Sequence, residues 1–266
     1  MTQSPVQFSV FTKPWRTTPV QELVKFVKES GFDGIEFPLR EGFQLEPADA
    51  EKGLHKLAAF MADHGLRIFS VASQTDERIF SACAEAGIPR IRIMPAVSLE
   101  EGYLQSVAKL RKHLEEVSHL CEQYGVKVSV QQHYGDFIPD SSGLMDLLQG
   151  LNPNHIGAVW DCSHDALAGQ QPEFGLDIVW SHLHMVNLKN VFYTRSNGPE
   201  AEQAQWERHF TSGRQGMASW ERVAAYLTKR KYEGVICLTA EYTAESEVDR
   251  LIRDDIRYAR TLFQSN

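Results

Sequence analysis

Five stretches of the sequence carry an apolar run into side chains that ionise, hydrogen-bond or move protons. They are "GIEF", with Glu36 and then Arg40 beyond it, and "VSVQQH", ending on Gln131, Gln132 and His133. The others are "AVWDCSH", with Asp161 and His164, "MVNLKN", with Asn187 and Lys189, and "CLTAEY", with Glu241. Such groups are costly to bury without partners, so together they point to one shared polar pocket. The chemistry available there is limited by residue type. Carboxylates and imidazoles take and return protons. A pocket lysine acts as a base of lowered pKa or steadies a developing oxyanion. A glutamine has no usable pKa, so Gln131 cannot serve as a base.

Each residue also has a plainer reading. Glu36 fits a rim ion pair or a helix cap, and His182 and His184 fit ordinary histidines near a strand start. Cys162 stands beside His164 in sequence, but no nucleophile elbow or oxyanion motif accompanies it. Asp161 after "AVW" and Lys189 after an apolar strand are harder to explain without a pocket.

The elements that must position these residues recur as one phrase: an amphipathic helix, a glycine, a short apolar strand. It appears in "ESGFDGIEF", "DHGLRIFSV", "EAGIPRIRI", "QYGVKVSV" and "KYEGVICL". Glycine just past a helix end takes the left-handed cap conformation at no steric cost. The apolar run after it reads as a strand covered on both faces. Helix starts are expected at the threonines and proline of "TPVQ" (17–21 region) and at the capping-box pattern "SLEE". The latter opens a long helix with an apolar stripe of Leu104, Val107, Leu110, Leu114, Val117 and Cys121.

These signals predict strands near 7–11, 34–38, 67–71, 89–94, 126–131, 156–161, 183–189 and 234–240. Helices are predicted near 18–30, 48–64, 75–86, 99–124, 142–150, 173–181, 219–230 and 245–263. Asn190–Ser219 reads as a long irregular polar stretch. Eight alternating strand–helix units without a break in composition predict a single-domain α/β (β/α)8 TIM barrel over residues 1–266. An open doubly wound sheet is the alternative, but no GxGxxG or GxxxxGK[ST] loop occurs. In a barrel, chemistry sits at the C-terminal strand ends, where the polar groups fall.

Composition narrows the function classes. The chain has 266 residues, 42% hydrophobic, 23% charged and 10% aromatic, ordinary for a soluble globular protein. A net charge of −8 argues against a nucleic-acid partner. No run approaches a membrane span, and the first ten residues lack a signal-peptide pattern, so a cytoplasmic protein is expected. Its four cysteines form no CxxC pair and read as reduced thiols.

The phrases "GFDGIEF", "GVKVSVQQHYG", "VWDCSH", "VNLKN", "SGRQG" and "SWERVAAYLTKRKYEGVICLTAEY", in this order and spacing, resemble the xylose isomerase-like TIM barrels, the sugar phosphate isomerases/epimerases. The resemblance covers nearly the whole chain. It implies one divalent metal held by Gln131, Asp161, Asn187 and Glu241, where the family usually has Glu, Asp, His and Glu. It also implies catalytic roles for Glu241, His133 and Lys189, and substrate contacts from His164 and Arg214; Glu36, from its place at a strand end, is expected to contact substrate as well. Gln131 and Asn187 depart from the pattern. Their carbonyl oxygens suit Mg²⁺ or Mn²⁺ better than Zn²⁺, and Gln131 removes one of the two carboxylates that epimerising relatives use.

The expected function is therefore a sugar or sugar-phosphate isomerase or epimerase that enolises a small polyhydroxylated carbonyl compound. A dehydratase of a sugar acid or inositol-type ketone is the alternative, since one carboxylate and one histidine would suffice. A barrel that only binds a small carbohydrate is a third reading, on the strength of the two carboxamides. The family's three-metal endonucleases need more His and Glu ligands than are present. Relatives are often dimers or tetramers, so a homo-oligomer is an open expectation.

Overall fold

A computed structural model describes residues 6–263. The apolar runs form strands β1 (Gln7–Phe11), β2 (Gly34–Pro38), β3 (Arg67–Ala72), β4 (Arg90–Ile93) and β5 (Lys127–Gln131). They continue with β6 (Ile156–Asp161), β7 (Leu183–Leu188), β8 (Asn190–Arg195), β9 (Trp206–Thr211) and β10 (Val235–Leu238). β1 to β7 pair in sequence order, and β10 closes the ring between β7 and β1, every pair parallel. The chain is thus a closed eight-stranded barrel.

The amphipathic segments pack outside as α1 (Val20–Ser30), α2 (Ala50–Asp63), α3 (Glu77–Glu85), α4 (Tyr103–Tyr124) and α5 (Ser141–Leu148). α6 (Cys162–Leu167), α7 (Pro172–Val179), α8 (Trp220–Lys229) and α9 (Val248–Phe263) complete the layer. The main apolar core lies between strands and helices, and a smaller cluster of Phe11, Phe69, Val159, Met185 and Cys237 fills the barrel itself.

Four of the five helix–glycine–strand phrases turn as predicted, with Gly31, Gly65, Gly87 and Gly125 at φ of 92°, 75°, 66° and 66°. In the fifth, Lys231 takes the left-handed position at φ 56° and Gly234 does not. The long helix starts at Tyr103, after Gly102 at φ 86°, not at the "SLEE" segment. Leu104 consequently points to solvent at 80% exposure and leaves the predicted stripe. Pro19 rather than a threonine caps α1, without a side-chain bond.

The largest difference lies in 190–219. β8 and β9 pair antiparallel from Asn190–Thr211 to Arg195–Trp206 in a hairpin separate from the barrel sheet. Its mostly solvent-facing residues lack the alternation of a half-buried strand. Local polar bonds hold it instead. The Asn190 carboxamide donates to Gly213 O and Ala218 O (both 2.8 Å) and accepts from Val191 N and Ala218 N. The Phe210 N–H donates to Thr243 Oγ1 at 2.9 Å, tying the hairpin to the segment after β10.

A buried charged pair joins the first strands of the barrel. Glu36 on β2 is fully buried and accepts from Arg92 on β4 at 3.1 and 2.9 Å and from Ser70 on β3 at 3.1 Å. Arg92 also covers the Phe11 ring at 4.6 Å. This two-pronged pair spans three neighbouring strands. Removing one charge leaves the other buried and unpaired, so Glu36→Gln is expected to cost about 3–5 kcal/mol of stability, measured by urea unfolding. The double variant Glu36→Gln/Arg92→Met should recover much of that loss.

Candidate functional site

The ends of β5, β6, β7 and β10 converge on one amine. Lys189, 4% exposed, donates from Nζ to His164 Nε2 at 2.9 Å and to Glu241 Oε2 at 3.0 Å. Asp161 Oδ2 lies 3.9 Å away, and the Phe210 ring of the hairpin covers the ammonium at 5.0 Å. Asp161 is held from both sides. Its Oδ1 caps α6, accepting from Ser163 N (3.0 Å), Ser163 Oγ (2.8 Å) and His164 N (3.4 Å), while Oδ2 accepts from Gln131 Nε2 at 3.0 Å. Gln132 brackets the Asp161 backbone through its own carboxamide.

Glu241 reaches the site from a strained turn. Ala240, just before it, has φ 52°, a conformation that costs a non-glycine residue about 1–3 kcal/mol and is common at functional sites. His133 packs tilted against His164 at 4.2 Å between ring centroids, and its Nδ1 donates to Tyr134 O at 2.8 Å. That bond leaves Nε2 as the free acceptor.

Burial alone would lower the Lys189 pKa, but Asp161 and then Glu241 outweigh it and hold the amine above its ordinary value. Each carboxylate contributes on the order of 4 kcal/mol at such separations when the effective dielectric constant is near 20. Together they offset the several kcal/mol lost in drying the ammonium. Burial would raise Glu241, yet Lys189, through charge and hydrogen bond, holds it below the usual carboxylate range. Burial and then the Lys189 charge lower both His133 and His164, the latter well below its ordinary value. At neutral pH the site therefore holds an ammonium, an ionised Glu241 and two neutral imidazoles.

These groups face a cavity of about 600 Å³, within the size range of small-molecule sites. Gln131, His133, Lys189 and Glu241 line it, together with Arg92 and Thr239. Asp161 and His164 are fully buried behind the wall. Asn187 sits in register with Asp161 and Cys237, but neither of its amide atoms has a hydrogen-bond partner.

None of the three expected substrate contacts lines the cavity: His164 lies behind its wall, and the other two are placed elsewhere. Both oxygens of Glu36 are taken by Arg92, and the carboxylate does not line the cavity. Arg214 lies over the Tyr258 ring at 3.7 Å in a separate surface depression beside α9, because the 190–219 segment folds into a hairpin that carries it away. The plainer readings of other residues hold. His182 and His184 bond Leu151 O and Pro153 O near the start of β7, and Cys162 donates its thiol to Lys189 O at 3.0 Å. Burial pushes that thiol far up, so it is no nucleophile. Arg92, Lys13, Tyr134 and Phe210 were not anticipated. Only Arg92 left a signal, as a charge inside the buried run "RIRI".

A closed parallel barrel with its polar groups gathered at the C-terminal strand ends has the architecture of a (β/α)8 TIM-barrel protein. The profile of the xylose isomerase-like TIM barrel family matches residues 24–262, and the chain belongs to that family. An inosose dehydratase of Bacillus cereus (strain AH820) is 22% identical over 205 residues, 75% of this chain and 64% of that protein. The chain thus spans less than two thirds of that relative's length. The 3-keto-D-glucoside 4-epimerase YcjR of E. coli superposes with a TM-score of 0.73 at 15% identity, over 96% of this chain and 99% of that one. A xylose isomerase-like TIM barrel protein from Mycobacterium smegmatis, solved with magnesium, superposes at 0.69 and 14% identity, over 97% of both chains. At these identities the superpositions show the shared fold. No helix among the described residues is long and apolar enough to cross a membrane.

The metal expected from the resemblance can be tested against the donor atoms. Among the described residues no group of three or more His, Cys, Asp or Glu side chains is arranged to hold an ion. Gln131 turns its NH₂ onto Asp161, and the space between Asp161 and Glu241 is taken by the Lys189 ammonium. A divalent cation there would meet a fixed positive charge, so the donor set does not fit one. Wild-type protein dialysed against Mn²⁺ is expected to retain far less than one ion per chain by mass spectrometry. Lys189→Ala, which empties the space between two carboxylates and His164, should gain Mn²⁺ binding.

Proposed function

We propose that the protein enolises a small polyhydroxylated carbonyl compound, with Glu241 as the base and Lys189 as the electrophile. The observation that carries this reading is the 3.0 Å contact between an ionised carboxylate and a buried ammonium on the cavity wall. Glu241 removes the proton from the carbon next to the substrate carbonyl. Lys189 donates to the carbonyl oxygen as it becomes an enolate oxygen, which lowers the acidity gap that a carboxylate of depressed pKa must bridge. Neutral His133, with Nε2 free, carries the hydroxyl proton between neighbouring oxygens. Behind them Asp161 and His164 hold Lys189 in place, and Phe210 limits water. Mn²⁺ or Mg²⁺, expected from the resemblance, has no role in this reading.

Glu241 is the one cavity carboxylate hydrogen-bonded to Lys189, which favours isomerisation, in which one base takes and returns the proton on one face of the enediol. Two-base epimerisation would need a second base where Gln131 stands. The similarity to inosose dehydratases favours β-elimination as a second reading. It begins with the same proton abstraction and requires only an acid beside the departing hydroxyl.

The test is proton exchange into D₂O, followed by ¹H NMR across a panel of ketoses, sugar acids and inososes. Glu241→Gln should slow exchange by roughly 10²–10⁴-fold, and chelator should leave it unchanged. The enediol reading fails if no compound exchanges, which would leave a binding protein, or if Glu241→Gln exchanges at the wild-type rate. A base must be deprotonated, so the rate should fall only at pH below the ordinary carboxylate range, because Lys189 depresses Glu241. In Lys189→Met that acid limb should move up in pH.

A further inference from the structure

The cavity is positively lined in a protein whose net charge is −8. Lys13, Arg16, Arg40, Arg92 and Lys189 face it against Glu241 and Glu245. Two of these five charges are answered by a carboxylate, and a third is held by neutral partners. Arg92 is paired with Glu36, Lys189 with Glu241, and Arg16 donates to Gly42 O at 2.9 Å while covering the Phe43 ring at 5.7 Å. Arg40 differs. It is half-buried and makes no ion pair with any described residue. Glu36, the carboxylate whose field reaches it, has both oxygens engaged by Arg92 and Ser70. Its guanidinium sits 5.8 Å from the Phe11 ring, the same ring that Arg92 covers. Lys13 is exposed at the cavity mouth, makes no ion pair with a described residue, and its charge is felt by Glu241.

A half-buried guanidinium in the field of a second one is an unfavourable arrangement unless an anion completes it. Guanidinium forks match planar or tetrahedral oxyanions with paired hydrogen bonds. We propose that the substrate carries an oxyanion, a carboxylate or a phosphate, which Arg40 grips with Lys13 in the cavity that Lys189 and Glu241 share. The ligand class is thus an anionic polyhydroxylated carbonyl compound, not a neutral sugar. Naming that ligand a substrate rests on the enolising reading; the oxyanion site itself does not.

Calorimetric titration separates the two, because it reads binding without turnover. The probes are inorganic phosphate, malonate, and the matched set D-fructose, 2-keto-D-gluconate and D-fructose 6-phosphate. At low salt the anionic members are expected to bind wild-type protein at least roughly tenfold more tightly than D-fructose, as charge-assisted bidentate contacts imply. Arg40→Gln should lose that preference, Arg40→Lys should keep part of it with the fold intact, and Lys13→Gln should weaken it several-fold. Preference for malonate and ketogluconate would identify a carboxylate substrate; preference for phosphate and the sugar phosphate would identify a phosphorylated one. The proposal is overturned if no oxyanion binds wild type more tightly than D-fructose, or if Arg40→Gln binds them unchanged. Proton exchange that persists with neutral ketoses alone would then leave the enolising reading standing.

Discussion

An ammonium taken into the interior of a barrel must bring its counter-charges with it. Lys189 directly follows β7, a strand buried along almost its whole length, and the residue is only 4% exposed. Left alone there, it would lose its proton or destabilise the fold by several kcal/mol. The structure meets that requirement from neighbouring strands. β6 supplies Asp161, β10 supplies Glu241, and the short helix α6 turns His164 back as an acceptor. The remaining polar groups follow from this. Asp161 must hold its own position, so it caps α6 with one oxygen and takes a hydrogen bond from Gln131 with the other. Glu241 must reach across, and Ala240 accepts a left-handed backbone to let it.

The same constraint explains why a carboxamide suits position 131. A further carboxylate at 131 would face Asp161 directly, and like charges at that distance repel. A carboxamide instead donates its NH₂ to Asp161 and leaves the negative charge free to attract Lys189. The positive charge at the centre of this site is thus a covalent part of the chain. A tethered cation is fixed in place and needs no loading, which suits electrostatic stabilisation of an enolate oxygen.

A second buried cation, Arg92, is answered by Glu36 in the same barrel. The two pairs lie on different sectors, β2–β4 and β6–β10, and the cavity opens between them. Arg40 stands at this junction without a carboxylate of its own. The β8–β9 hairpin then packs against the site, with Phe210 over Lys189 and Arg208 over Tyr134 at 3.9 Å. The positive lining and the aromatic cover come from segments far apart in sequence.

Local chemistry made the barrel readable. β-branched runs, glycines at helix ends and amphipathic stripes act within about ten residues, so all eight barrel strands were placed within two residues of their observed ends. The phrase "VNLKN" already implied that Lys189 needed a partner, and strand-end polarity picked out Gln131, His133, Asp161, His164 and Glu241. Partner choice was a different matter. Whether Glu36 serves a ligand or Arg92 depends on strands that lie 56 positions apart in the chain. Arg214 was misplaced because the hairpin is held by a buried Asn190 and a cross-link to Thr243, which leave no period in the sequence. The sequence by itself determined the barrel and which residue types reach its C-terminal rim, because backbone and burial preferences are local. Only the tertiary structure decided that a lysine, not an open metal site, fills the centre, because ion pairing depends on distances across the barrel that no spacing encodes.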